Sequence, residues 1–293
     1  MRKRSDKYKI SKLKLFLLIV LTIIALIGCV FIWARFISTS GLIVNEIKVV
    51  KETLPESFNG LKVVHLSDIH YGKTINKNKL ERVVEKINLI NPDIVVFTGD
   101  LIDKDIDITN KMINDISKTL KKIDSKYGKY SVKGNHDYSS DSFLEIMENS
   151  DFYILENGYD LIYNEKKDFI YIGGLSSSIK TNIDYEKTLE YFNIETNNKD
   201  IFRLMLMHEP DNIDNVLEYQ SMDLALAGHS HGGQIRLPYF GPMMKVKDAK
   251  KYPNSHYKIN NTDLYVSYGL GTTTYPFRLF NKPSINFYRI YNK

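Results

Sequence analysis

The sequence predicts an α/β domain with mixed sheets, preceded by one helix long enough to cross a membrane. Three observations carry this. An uncharged run, 15–34, lies between Lys14 and Arg35. Beyond residue 43, short apolar runs rich in β-branched residues alternate with segments whose apolar residues recur at helical spacing. From Gln234 onward the chain is dominated by β-forming residues.

The N-terminal run holds 20 residues, interrupted by little but Thr22. As a helix it would measure about 30 Å, the thickness of a bilayer's hydrocarbon core. Seven cations precede it and Arg35 follows closely. The positive-inside rule therefore expects 1–14 in the cytoplasm, 15–34 across the membrane, 35–42 as a short linker and 43–293 as an extracytoplasmic domain. Two alternatives stay open. Ser38-Thr39-Ser40 offers a small-residue cleavage site, and Leu26-Ile27-Gly28-Cys29 resembles a lipoprotein box, although Val-Phe-Ile-Trp is a poor start for a lipidated mature chain.

Within the domain, strands are expected at Leu61–Leu66, Ile94–Thr98, Lys129–Val132, Phe152–Leu155, Leu161–Tyr163, Phe169–Ile172, Phe202–Met207 and Leu224–Ala227. Gln234–Leu237, Leu264–Tyr268 and Ser284–Tyr291 complete the set. Helices are expected at Asn78–Ile90, stopped by Asn91-Pro92, and at Ile106–Ile123, Ser142–Glu148, Tyr185–Phe192 and Ile213–Tyr219.

The whole chain has a formal charge of +5, which would suit a polyanion binder. Residues 1–40 hold eight of the basic side chains and one acid, leaving 32 basic against 34 acidic beyond them. The domain thus gives no global reason to bind nucleic acid, and none is expected as a partner. Its lack of cysteine excludes a structural zinc–thiolate site.

Five of the seven histidines follow apolar strands and stand beside Asp, Asn or Gly. LKVVHLS runs into Asp68-Ile69-His70, IVVFT into Gly99-Asp100, and KYSVK into Gly134-Asn135-His136-Asp137. FRLMLM runs into His208-Glu209-Pro210, and LALA into Gly228-His229-Ser230-His231. Ligands of open α/β sheets bind at the carboxyl ends of strands. Imidazole, carboxylate and amide delivered there form a constellation for divalent metals. Asp68 and His70, two apart in an extended turn, would point the same way. The glycines at 99, 134 and 228 would take positive φ or let backbone approach closely. His65, inside a strand, reads as a core histidine, and His256 as a surface residue. Arg278, near a turn, reads as solvated, and the acid-rich 100–107 stretch as solvated loop beyond Asp100.

This ordered set, DxH, GD, GNHD, H and GHSH, resembles the calcineurin-like metallophosphoesterase superfamily. GHSHGGQIRLP and VSYGLGTTTYPFRLF resemble its membrane-anchored bacterial branch of YkuE- and YaeI-type phosphodiesterases. The resemblance implies a four-layer α/β/β/α sandwich with two divalent ions, Mn, Fe or Zn. Asp68, His70 and His231 would hold the first ion, Asn135, His208 and His229 the second, and Asp100 would bridge them. His136 would act as acid toward the leaving oxygen, oriented by Asp137, after attack by a hydroxide shared between the ions. The expected substrate is a phosphodiester or pyrophosphate, lipid-linked or from the cell envelope, motivated by the short tether. Alternatives are a phosphomonoesterase acting on nucleotides or phosphoproteins, and, from a different class, an envelope-binding module whose metals are structural. A non-ligand His136 beside the metals weighs against the last.

Overall fold

The structure is a computed structural model that describes residues 11–194 and 201–293. Residues 1–10, most of the basic N-terminal segment, lie outside it. Helix α1 (Lys12–Ile32) starts at Ser11, whose side chain accepts from Lys14 N, and continues through a π turn, Trp33–Ile37. The 26 residues Lys12–Ile37 are the one helix among the described residues that is long and apolar enough to cross a membrane. The expected linker is not a free tether. Residues 35–37 are helical, Ser38 and Thr39 are buried, and Arg278 N donates to Ala34 O at 3.0 Å. Backbone and small side chains at this junction pack against the domain.

Two six-stranded mixed sheets form the domain. The first contains β1 (Ile43–Val50), β2 (Leu61–Leu66), β3 (Ile94–Phe97), β4 (Lys129–Ser131), β5 (Phe152–Ile154) and β14 (Ser284–Tyr291), in the order β1-β14-β2-β3-β4-β5. The second contains β6 (Gly158–Tyr163), β7 (Phe169–Gly174), β8 (Arg203–Leu206), β9 (Leu224–Ala227), β12 (His256–Ile259) and β13 (Thr262–Val266), in the order β12-β13-β9-β8-β7-β6. Strands β2, β3 and β4 run parallel, as do β8 and β9. A short hairpin, β10 (Arg236–Leu237) with β11 (Gly241–Pro242), stands apart.

Three apolar layers hold the sheets together. Helices α2 (Lys77–Ile90), α3 (Asn110–Lys121) and α4 (Ser142–Asn149) cover the first sheet; Leu80, Val83, Val84 and Ile87 of α2 meet Val64, Leu66, Val95 and Phe97. Between the sheets Val63, Ile94 and Val96 face Ile170, Leu204 and Leu226. On the outer face of the second sheet, Met205 and Ala225 pack with Ile213 and Val216 of α6 (Ile213–Tyr219) and with residues around α5 (Tyr185–Thr188). The order is α/β/β/α, as the resemblance implied.

Several expected boundaries move for local reasons. Helix α3 begins at Asn110 instead of Ile106 because the Thr109 hydroxyl caps Met112 N. The 185–192 helix breaks at Leu189 into α5 and a 3₁₀ turn, Glu190–Asn193. Strands β1 and β12 were not expected. Most of β1 is exposed and its alternation is weak, so only its parallel pairing with β14 reveals it.

Candidate metal centre

Every candidate ligand sits just past a strand, in loops that cross-brace one another. Asp68 N donates to Gly99 O at 2.9 Å, His70 N to Asp100 O at 3.1 Å and Gly228 N to His208 O at 3.0 Å. The backbone is strained where the ligands are. Asp68, His70, Asp100, His229 and His231 all have φ between 42° and 65°, a region that non-glycine residues occupy only when surroundings impose it. The extended D-x-H turn expected from the sequence is therefore corrected: Asp68 and His70 converge through two left-handed residues. Gly134 and Gly228 serve close approach rather than positive φ. A Cβ on the first would lie 2.3 Å from Asp100 Oδ1, and on the second 2.0 Å from Ser67 Oγ.

The side chains meet in three overlapping groups: Asp68, His70 and His231; His70, Asp100 and His136; and Asp100, His208 and His229, so that His70 and Asp100 link the outer two. Asp100 Oδ2 lies 3.4 Å from His70 Nε2, 3.3 Å from His208 Nε2 and 3.9 Å from His136 Nε2. His231 Nε2 lies 3.1 Å from His70 Nε2 and 3.3 Å from Asp68 Oδ1. Asn135 Oδ1 is buried with no hydrogen-bond partner, as is His208 Nε2.

The tautomers are fixed from outside the cluster. His208 Nδ1 faces Thr98 O at 2.6 Å, and His229 Nε2 faces Lys247 O at 2.8 Å. A carbonyl only accepts, so those nitrogens carry hydrogen, leaving Nε2 of His208 and Nδ1 of His229 as lone-pair donors. Asp103 Oδ2 lies 3.2 Å from His70 Nδ1, an ion-pair contact on the side of the ring away from Asp100. Asp103 is 1% exposed and also contacts Lys73 Nζ at 3.0 Å. The expectation that the 100–107 loop is solvated beyond Asp100 fails here, and residue type alone gave no signal to set Asp103 apart from its neighbours.

Charge follows the same geometry. Burial pushes the Asp68 carboxyl up, whereas at Asp100 burial is outweighed by His208, His70 and His136, which hold it well below the usual range. Burial alone takes His65 down to about 3, and burial with the nearby His208 takes His229 to about 3. Two carboxylates and four imidazoles converge here, and the buried, unpartnered amide oxygen of Asn135 lies in the loop that follows β4. That donor set, oxygen and nitrogen with no sulfur, fits two divalent cations sharing Asp100.

His136 stands at the rim of this cluster. Its Nδ1 accepts from Lys104 N at 3.2 Å, so the neutral ring carries its hydrogen on Nε2, the nitrogen turned toward Asp100. Asp137, expected to orient it, makes its hydrogen bonds elsewhere. Asp137 Oδ2 accepts from Asp100 N (2.7 Å) and Gly134 N (2.8 Å), and Oδ1 from Leu101 N (2.8 Å). Burial and the charge of Asp100 push its carboxyl up to about 7. It staples the GD loop to the GNHD loop.

Two further residues depart from expectation or meet it. Arg278 is fully buried, not solvated, and donates to the carbonyls of Tyr268, Gly269, Gly271 and Asn281. These belong to the loop that touches Asp68: Leu270 N donates to Asp68 O at 3.2 Å. Its position inside the apolar Pro276-Phe277-Arg278-Leu279-Phe280 run was the available clue. His65 is a core histidine, Nε2 bonded to Thr98 Oγ1 at 2.8 Å, and His256 lies on the surface against Asp263.

Residues 61–233 match the profile of the calcineurin-like phosphoesterase family. The chain belongs to that family. It is a metal-dependent phosphoester hydrolase by this membership, and it carries clustered residues able to bind metal. It is 32% identical over 261 residues to the uncharacterized metallophosphoesterase YkuE of Bacillus subtilis, covering 88% of each chain. It is 27% identical to a transmembrane protein with a metallophosphoesterase domain from Danio rerio, covering 83% of this chain and 56% of that one. Among solved structures it is similar to the calcineurin-like phosphoesterase YfkN of Bacillus subtilis, with a TM-score of 0.43, 14% identity, and coverage of 72% and 81% of the two chains.

Proposed function

We propose that this protein hydrolyses a phosphodiester or pyrophosphate bond of a lipid-linked or cell-envelope substrate, using two divalent ions, from a domain anchored at the outer face of the membrane. The observation that carries the hydrolytic part is Asp100, whose carboxylate is shared by two sets of converging ligand atoms with an Nε2–H of His136 beside it. Asp68, His70 and His231 would hold one ion, and Asn135, His208 and His229 the other, with Asp100 common to both; manganese, iron or zinc suits these donors. When bound, the ions supply an acidified water and offset charge on the phosphoryl oxygens. His136 would donate its Nε2 proton to the departing oxygen, a role supported by the Lys104 amide that bonds its Nδ1. The outward topology is supported by the seven cations that precede the apolar run.

The test uses the full chain in detergent, stripped by chelator and reloaded with each metal in turn. Metal-dependent turnover of diesters exceeding that of monoesters is expected. His136→Ala should slow release of an alkoxide leaving group by about 10²-fold, the usual scale for a lost general acid. Nitrophenolate needs no proton to leave and should be nearly unaffected. Equal losses on both substrates would remove His136 from the acid role, and the absence of any metal-dependent hydrolysis would overturn the reading.

A further inference from the structure

The β10–β11 hairpin leaves the site two residues beyond the His231–Gly233 turn and presents its tip to solvent. Tyr239 is fully exposed, Phe240 is 83% exposed, and Met243 and Met244 are exposed just after the turn. Tyr275 and Phe280, on the neighbouring segment, are also exposed. The two segments are joined by backbone bonds: Arg236 N donates to Leu279 O at 3.0 Å and Leu279 N to Gln234 O at 3.1 Å. An aromatic and methionine surface of this extent on one side of a domain marks a contact with something apolar.

The occupant is indicated by what lies alongside. The Phe277 ring meets Phe31 of α1 edge-on at 4.9 Å, and Cys29, Val30 and Trp33 line one apolar groove with Leu279 and Phe280. Residues 29–33 are the outer end of the apolar run. If that run spans the hydrocarbon layer, the 277–280 segment touching it lies at the depth of the membrane interface, and the hairpin bonded to that segment lies beside it. The charge agrees. No acid occurs in 224–247 or in 264–293, while Arg236, Lys245 and Lys247 flank the aromatic tip. Lys245 and Lys247 are exposed and form no ion pair among the described residues. Aromatic rings with flanking cations form the composition of a segment seated among lipid headgroups.

We infer that the 237–244 hairpin, together with Tyr275 and Phe280, is a second membrane contact that inserts into the headgroup layer next to α1. This rests on the reading of α1 as a membrane span. It also sharpens the substrate reading, because His231 lies just before the hairpin's base and the centre is then held over the bilayer surface. An amphiphile whose phosphate lies at headgroup level could reach it without leaving the membrane.

The test reconstitutes full-length protein with Cys29→Ser and Phe240→Cys, labelled at residue 240 with an environment-sensitive dye, into vesicles of phosphatidylethanolamine and phosphatidylglycerol. A matching label replaces Tyr153, exposed on the far edge strand β5. The dye at 240 should shift to the blue and be quenched several-fold more by headgroup-level nitroxide lipids than the dye at 153. Equal emission at the two sites, in protein that still resists alkaline extraction, overturns the hairpin inference and leaves the anchor standing. Protein released by alkali overturns both. Copper-phenanthroline oxidation of the same protein left unlabelled, if it joins the 240 thiols of two copies as a disulfide, would assign the patch to self-association instead. A Tyr239→Ser/Phe240→Ser variant should keep turnover of a soluble ester and lose turnover of a vesicle-borne one; equal turnover on both would count against any use of the contact in catalysis.

Discussion

Asp137 offers the sharpest separation between a structural and a catalytic role. Its carboxylate is 6% exposed and accepts three backbone N–H groups, from Asp100, Leu101 and Gly134. Asp137→Ala leaves all three donors without that acceptor, and a buried unsatisfied donor costs about 1–3 kcal/mol. Water entering the vacated volume and relief of the repulsion with Asp100 offset part of this, so a net loss of about 3–5 kcal/mol is expected. Asp137→Asn keeps one acceptor. Its oxygen can replace Oδ2 for Asp100 and Gly134, while its amide group faces Leu101 N–H, donor against donor, at a cost of about 1–3 kcal/mol. The assay is unfolding of the detergent-solubilised, chelator-stripped chain, so that lost metal does not mimic lost packing. For a domain of this size each kcal/mol moves Tm by about 2–4 °C. Ranking wild type above Asn above Ala supports the staple. Variants as stable as wild type that nonetheless lose turnover selectively on poor leaving groups would refute it and return Asp137 to orienting His136.

Three other outcomes follow from the same geometry. Asp100→Asn weakens both ligand groups at once, so calorimetric titration of the stripped chain should show neither ion binding at wild-type affinity; two ions bound normally would refute the shared position. Arg278→Met leaves the carbonyls of Tyr268, Gly269, Gly271 and Asn281 unpaired in the interior and should cost about 3–5 kcal/mol, the scale for breaking a buried charged network, read as a fall in denaturation midpoint. At Asp263, burial is outweighed by hydrogen bonds from Lys258, Lys51 and His256, which bring the carboxyl down to about 2. The stability it contributes is therefore complete above the unfolded carboxylate value near 4 and disappears as pH falls from about 4 toward 2. Solvent screening limits it to about 1 kcal/mol, so the stability gap between wild type and Asp263→Asn should close over that window and stay constant above it.

What the sequence revealed, and what it hid, divides along the range of the interactions involved. Strands β2, β9 and β14 and helix α6 fall at their expected bounds because each is a local pattern, an apolar run or a helical stripe closed by turn residues. The ligands were legible for a related reason: a strand's carboxyl end is a local feature, and residue type there reports chemistry. Roles that depend on partners far along the chain were not. Asp103 matters because it meets His70, Asp137 because it joins loops 100 and 134, and Arg278 because it gathers carbonyls from 268–281 and its own amide meets the end of α1. In each case the side chain expected to be solvated or catalytic holds backbone or imidazole in place.

These supports explain how a strained centre persists. Five ligands with left-handed backbone would each relax if released, at a scale of about 1–3 kcal/mol apiece. Asp137 holds the Asp100 and Gly134 amides, Arg278 holds the 268–271 loop against Asp68, and Asp103 holds His70. The strained ligand loops are thus braced by hydrogen bonds and ion pairs that lie outside the donor set itself. On this argument a substitution at any of the three supports should lower metal affinity without touching a ligand, and Asp103→Asn, which keeps the size of the side chain but removes its charge, isolates that effect at His70. Weaker binding of both ions together would point to general loosening. Loss confined to the ion held by Asp68, His70 and His231 is the result that the geometry requires.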